Sequence, residues 1–344
     1  MKTIDYLQSG KTLLDLFEEF NIKAALHAEL PLAILNYGIK SPKDNSIARE
    51  CRGLVIDIKT NELVARGFNR FFNYGELREE TDLFDFSDFH ITEKIDGSLC
   101  LIYFFQDKWY ANTRNSFAHG KLQDCNLTWE EGFCRALGIL DLQELDSLLD
   151  RSLTYVCEFC SPFNKVVRSY KDFEIYLLTM FHGENEVPYY AVREYKNVFL
   201  LPSQFFFNDI REIILFLEEK SKEDESFEGV VLCDKNNTRL KVKSPTYLSL
   251  HKLKNNNNIF HPSCLLPFVL SGDTDRLFCY FPEVKERYNE ILHKSEDAFG
   301  RLKSLWEYTW KIENQKEFAL AIVRKSPFSW MLFDVRKRLG GKQT

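Results

Sequence analysis

Apolar positions recur at helical spacing over residues 3–20 (Ile4, Leu7, Leu13, Leu14, Phe17, Phe20), which predicts an N-terminal helix. Shorter runs at 53–58, 63–68, 90–93, 98–105, 108–113, 153–160, 173–181, 228–233 and 238–243 alternate or crowd their apolar residues and predict strands. Helical spacing returns near 129–149, 208–220 and 244–254. Strands interleaved with a few helices predict an α+β fold, with two or more antiparallel sheets and flanking helices. The polar run Lys254-Asn255-Asn256-Asn257-Asn258 reads as a linker. Beyond it, 263–339 lacks strand alternation and gains helical spacing (Leu292, Phe299, Leu302, Trp306, Tyr308). The expected organisation is an α+β domain over 1–254 and an all-α domain over 255–344. No internal repeat is visible.

The chain of 344 residues is long enough for two domains, and 44% apolar with 15% aromatic content is ample for buried cores. No window of eighteen apolar residues occurs, so no membrane-spanning helix is expected. Residues 1–6 lack the apolar stretch of a signal peptide. Nine cysteines scattered through apolar strands fit a reducing cytosol better than a disulfide framework. A soluble, cytoplasmic monomer is the expectation. The net charge of −6 runs against nucleic-acid binding as a bulk property, so any such binding must rest on local clusters. Arg52, Arg66, Arg70, Arg114, Lys165, Arg168, Lys241 and Lys243 are the candidates, while Glu79–Asp88 and Glu218–Glu228 read as solvated acidic surface.

The candidate chemistry begins at Lys94, which opens Lys94-Ile95-Asp96-Gly97 at the head of an apolar strand. A lysine so placed fits a nucleophile that carries a nucleotide as a phosphoramidate and splits one hard phosphoryl exchange into two easier steps. The four-residue string alone is weak. Downstream, Glu158 is a single carboxylate in an apolar strand, Glu228-Gly229-Val230-Val231 follows a helix, and Lys241 and Lys243 share one strand face. Each has a bland reading as an edge glutamate or a solvated strand face. Their order is that of a nucleotidyltransferase core, and two cations on one face suit a nucleotide's phosphates.

From about residue 30 to about 255 the chain resembles the ATP-dependent RNA ligases of the phage tRNA-repair type, within the covalent nucleotidyltransferase superfamily. Glu50-Cys51-Arg52-Gly53-Leu54, Arg70-Phe71-Phe72-Asn73, Ser161-Pro162-x-Asn164 and Tyr247–His251 are similar to the family's blocks. The resemblance implies a nucleotidyltransferase domain of ATP-grasp-like antiparallel sheets and an enzyme that joins 5′-phosphate and 3′-hydroxyl RNA ends through lysyl-AMP and adenylylated RNA. It implies Lys94 as the nucleophile. It also implies that Arg52, Arg70, Lys241 and Lys243 hold the ATP phosphates and that Glu158 contacts the ribose hydroxyls. Tyr37, Glu93, Asp96, Gly97 and Arg114 complete the expected ATP site. Asp96 is read as orienting its loop and Gly97 as making room beside the nucleotide. Glu228 is the expected ligand for Mg²⁺, with Mn²⁺ as a substitute. Arg70 and Arg114 stand where the family commonly has lysines, which keeps the charge but replaces a point cation by a fork.

Attack by Lys94 needs a neutral amine, and neighbouring Lys241, Lys243 and metal are expected to lower its pKa. Tyr37, Phe72 and Tyr176 are candidate nucleotide-contacting aromatics, with core packing favoured for Phe72. Other features lead nowhere. Ser9-Gly10-Lys11-Thr12 imitates the end of a P-loop, but Asp5 stands where its first glycine belongs, so the chain is not expected to phosphorylate RNA ends. Cys157-x-x-Cys160 lacks a second pair and reads as plain strand. DNA ligases and capping guanylyltransferases share the nucleophile but commonly add a β-barrel after the lysine pair, which the helical tail argues against. A non-catalytic RNA-binding relative is disfavoured by the intact site residues. The tail carries a loosely similar Ser271-Gly272-Asp273-Thr274-Asp275 and a basic end at Arg324, Lys325, Arg336, Lys337 and Arg338, a candidate grip for tRNA or another folded RNA.

Overall fold

The computed structural model describes residues 1–38, 40–122, 125–164, 167–244, 260–271, 284–323, 325 and 328–340. The chain divides into two compact units, Met1–Ser249 and Leu250–Thr344. The predicted helix at 244–254, the Asn-rich linker, Tyr247–His251, Lys165 and Arg324 lie outside the described residues, as does the 271–275 block apart from Ser271.

The N-terminal unit holds three sheets. The first comprises β1 (Ile22–Leu26), β2 (Leu32–Tyr37), β3 (Arg52–Asp57) and β4 (Glu62–Ala65) in that order. Its central strands β2 and β3 are buried on both faces. Ala33, Leu35, Leu54 and Ile56 pack on Leu7 and Leu16 of helices α1 (Lys2–Gln8) and α2 (Leu13–Phe20). Ile34 and Val55 pack the other way, on Leu99, Leu101 and Val156. Burial on both faces explains why β2 reads as an unbroken apolar run, which hid it from a search for alternation.

The single helix predicted over 3–20 is two helices. Gly10 adopts φ +93 between them, and Thr12 caps α2, accepting from Asp15 N at 3.2 Å and completing a capping box. The P-loop lookalike is therefore a helix-to-helix joint. The helix predicted near 129–149 is likewise shorter, running Trp129–Leu137 to a left-handed Gly138 and then a 3₁₀ turn at Leu142–Ser147.

The second sheet is ordered β11-β10-β9-β7-β8, from β7 (Ser98–Phe105), β8 (Lys108–Thr113), β9 (Leu153–Cys160), β10 (Glu174–His182) and β11 (Asn185–Glu186). Its far face covers Phe133, Leu142 and Leu145. Cys157 and Cys160 are buried free thiols in β9, and among the described residues no cluster of three or more His, Cys, Asp or Glu could hold a metal. The third sheet is ordered β12-β6-β13-β14-β5, from β5 (Phe72–Asn73), β6 (Phe89–Glu93), β12 (Gln204–Phe205), β13 (Gly229–Asp234) and β14 (Arg239–Lys243). One face packs Ile91, Val230, Leu232, Leu240 and Val242 on Ile213 and Leu217 of the helix Ile210–Glu223. All described strand pairs are antiparallel except β14 with β5.

In the C-terminal unit every described element is helical: Pro262–Ser271, Lys285–Thr309, Gln315–Ile322 and Met331–Gly340. Phe318, Ile322 and Leu332 form its small core. Arg336, read as part of a basic end that could grip folded RNA, is engaged within the unit. It donates to the Glu313 carbonyl at 2.6 Å and lies 4.3 Å from the Phe318 ring centroid.

Candidate active site

Strand register brings the separated motifs to one place. Glu93 at the end of β6 pairs with Val230, and Gly229 pairs with Lys243, so Lys94, Glu228 and Lys243 meet at one end of the third sheet. The Lys94 N–H donates to the Gly229 carbonyl at 2.9 Å. Gly229 sits at φ +140, and a Cβ there would lie 2.1 Å from the Val242 carbonyl oxygen. Only glycine lets β13 and β14 approach so closely beside the acidic residue.

Glu228, which the acidic run 218–228 suggested was solvated, is buried at 4% and clamps two cations. Its Oε2 accepts from Lys94 Nζ at 2.7 Å, and its Oε1 faces Lys243 Nζ at 2.7 Å. Burial alone would raise the Glu228 pKa, but the two ammonium groups outweigh it and hold the carboxyl below its usual range. For Lys94, burial pulls the pKa down, yet the charges of Glu228 and Glu158 and the hydrogen bond to Glu228 win, and the pKa is raised. This reverses the expected direction. The depressed amine is Lys241, pushed down to about 7 by burial and by Arg52, Lys94 and Lys243.

Glu158, read in isolation as an edge residue, lies on the central strand β9, between β10 and β7. It accepts no hydrogen bond from any described residue. Its pKa is raised to about 7 by burial, opposed by Lys94 and reinforced by Glu228. Beside it Arg52 Nε and Nη1, and at the adjoining cleft Arg70 Nη1, are buried without hydrogen-bond partners among the described residues. The Arg52 guanidinium lies against Phe71 at 4.9 Å and Phe68 at 5.4 Å. Buried guanidinium donors without acceptors are what an anionic ligand would satisfy.

Arg52, Lys94 and Glu158 wall two cavities. One, of about 330 Å³, also includes Gly97, Ser98 and Arg114; the other, of about 70 Å³, includes Glu93, Arg239 and Lys241. A cleft of about 870 Å³ shares Arg114 and Asn115 with the first and is further lined by Tyr37 and Arg70. The structure thus brings Lys94, Arg52, Gly97, Arg114, Glu158 and Lys241 together directly. Glu228 and Lys243 join through the clamp, and Tyr37 and Arg70 stand at the adjoining cleft.

The sequence model of the RNA ligase family matches residues 50–247. The chain belongs to the RNA ligase family. A protein of Autographa californica nuclear polyhedrosis virus named as a bifunctional polynucleotide kinase/RNA ligase is 30% identical over 286 residues, which cover 79% of this chain and 40% of the viral one. The chain thus spans less than half of that relative's length. Among solved structures, an archaeal ATP-dependent RNA ligase superposes with TM-score 0.50 at 17% identity, covering 93% of this chain and 89% of that one. A protein described as an ATP-dependent DNA ligase from Aquifex aeolicus gives TM-score 0.50 at 16% identity, covering 86% and 79%. Both share the fold of this RNA ligase family member.

Several expected site residues of this family member do something other than expected. Asp96 accepts from the Val167 and Arg168 N–H groups at 2.8 and 2.7 Å, which ties the loop after Lys94 to residues 167–168. Gly97 is needed for a different neighbour: a Cβ would meet the Phe159 carbonyl oxygen at 2.4 Å and Cys160 Sγ at 2.7 Å, so it serves strand packing. Glu93 is engaged by Arg168 at 2.9 Å and Ser203 at 2.7 Å. Tyr37 is covered on its ring by the guanidinium groups of Arg114 at 4.2 Å and Arg70 at 4.3 Å, so its face is not open to stack a base. Phe72 is buried in the core, and Tyr176 donates to Glu174 at 2.7 Å.

Two residues escaped the sequence reading. Asn36 accepts from Arg114 Nε at 3.2 Å and Gly53 N–H at 3.0 Å, holding Arg114 over the cavity. Arg239 continues the Lys241 and Lys243 face by one more period-two step, a signal visible in the sequence. It forms a forked ion pair with Glu186, both nearly buried, and joins the second and third sheets.

Proposed function

We propose that the protein is an ATP-dependent RNA ligase that joins 5′-phosphate and 3′-hydroxyl RNA ends, with Lys94 as nucleophile. The observation that carries this reading is Lys94, held by Glu228 at 2.7 Å at the junction of two cavities that both include the unpartnered donors of Arg52. The Lys94 amine attacks the α-phosphorus of ATP; an N–P bond forms, the bond to pyrophosphate breaks, and the amine loses a proton. A 5′-phosphate oxygen of RNA then attacks that phosphorus and the P–N bond breaks, returning a proton to Lys94. A 3′-hydroxyl finally displaces AMP to close the phosphodiester.

Arg52, Arg70, Arg114, Lys241 and Lys243 neutralise phosphate charge, which is most of what phosphoryl transfer asks of a protein. Glu158 lines both cavities and Glu228 stands behind Lys94 and Lys243; the two would hold a divalent cation, Mg²⁺ or Mn²⁺, that takes its remaining ligands from phosphate oxygens and water. Such a cation supplies charge neutralisation on the phosphates. In the free protein both Glu228 oxygens are taken by lysines, so Glu228 becomes available only as Lys94 gives up its proton and turns to the nucleotide.

The test is a sealing assay on 5′-phosphorylated RNA and DNA with ATP or GTP. ATP-dependent sealing of RNA is expected. Covalent GMP without sealing would indicate a capping enzyme, and sealing confined to nicked DNA would indicate a DNA ligase.

A further inference from the structure

We propose that the outer end of the 870 Å³ cleft, at Lys23 and Lys43, is where the RNA strand bearing the 5′-phosphate lies during the second and third steps. This rests on the ligase reading above. Four cations line the cleft: Lys23 on β1, Lys43 in the loop after β2, Arg70 and Arg114. No acidic side chain is among its lining residues. In a chain of net charge −6 this is a local reversal of sign, as a polyanion requires.

Connection to the chemistry decides between possible occupants. The cleft shares Arg114 and Asn115 with the cavity that holds Lys94 and Glu158, so a phosphate strand lying in it reaches the lysine. Arg114 and Arg70 flank Tyr37 at the inner part and serve the nucleotide's phosphates. Lys23 and Lys43 line the cleft but not the Lys94 cavity, so the nucleotide's phosphates do not account for them. Lys23 is exposed and has no ion-pair partner among the described residues. Lys43 is held by Glu76 at 2.9 Å, which fixes its ammonium while leaving donors over for a phosphate oxygen. Lysine point charges on flexible stems suit a strand gripped by its backbone, without base readout.

The experiment uses the full chain with Lys23→Ala and Lys43→Ala combined, alongside Lys23→Arg and Lys43→Arg combined. Lysyl-AMP formation from ATP, RNA sealing, and anisotropy of a fluorescent 5′-phosphorylated single-stranded RNA over a salt series are measured. The alanine pair is expected to form lysyl-AMP at the wild-type rate, to raise the KM for RNA about tenfold, and to flatten the salt slope by about 1.4, from roughly 0.7 per lost phosphate contact. The arginine pair is expected to restore binding. RNA affinity and salt slope unchanged in the alanine pair would overturn the proposal. So would adenylylation falling in step with sealing, which would make the lysines part of the ATP site. Wild-type protein that forms no lysyl-AMP but binds RNA with a salt slope that the alanine pair flattens would sink the ligase reading while leaving RNA binding at Lys23 and Lys43.

Discussion

Glu158 is a half-buried carboxylate that faces the Lys94 cavity, and its side chain accepts no hydrogen bond among the described residues. Its pKa is raised to about 7 by burial, so the folded state holds this proton more tightly than the unfolded chain does. The stabilising effect of that tighter binding is fully present below about pH 4.3, the unfolded value, and is lost as pH rises toward 7. Glu158→Gln should therefore raise the free energy of unfolding at pH 8, by the order of 1–3 kcal/mol, and have little effect at pH 4. An equal gain at both pH values would mean that the carboxylate is not strained. Lys94 carries the complementary prediction. Its raised pKa keeps it protonated near neutral pH in the free protein, so the adenylylation rate should climb with pH above 7. Glu158→Gln should move that rise to lower pH by removing one of the anions that hold the proton. A profile unmoved by the substitution would leave Glu228 as the sole control.

Lys94, the two lysines and Gly229 were visible because a period of two on β14 and a fixed motif order survive in one dimension. What they touch was not. Glu228 looked like the end of an acidic run because its lysine partners lie fifteen residues downstream and far upstream, joined to it only by strand register. The direction of the Lys94 shift was misjudged for the same reason: sequence showed the cations but not that three carboxylates stand nearer. β1 and β2 were missed because one is alanine-rich and the other is buried on both faces. The role of Gly97 likewise needed β9 in place beside it. From that packing, Gly97→Ala should destabilise by about 1–3 kcal/mol through forced displacement of β9 or of the Lys94 loop. Thermal unfolding checks this, and an unchanged melting temperature would show that the strand yields freely.

Every described residue of the candidate site lies in the N-terminal unit. The chain ending at Ser249 should accordingly form lysyl-AMP at a rate within a few-fold of the full chain. If the helical unit reads folded RNA, truncation should lower sealing of nicked tRNA more than sealing of short single strands. Equal losses would make the unit a structural support. The packing of Arg336 against Phe318 already removes one cation from the expected basic end. The change from alternation to helical spacing falls where the described strands give way to helices; what the helices hold was not legible, because no motif there names a contact.

The central claim is that Lys94 is the covalent carrier, and one measurement addresses it. Full-length protein and Lys94→Ala are incubated with ATP labelled on the α-phosphate and a divalent cation, then run on a denaturing gel and mapped by mass spectrometry of the digested band. The account predicts one AMP adduct on Lys94 in the wild type, none in the variant, and continued sealing by the variant when RNA is supplied already adenylylated. Label on Lys94→Ala at the wild-type level, or an adduct mapped to Lys241 or Lys243, would contradict it.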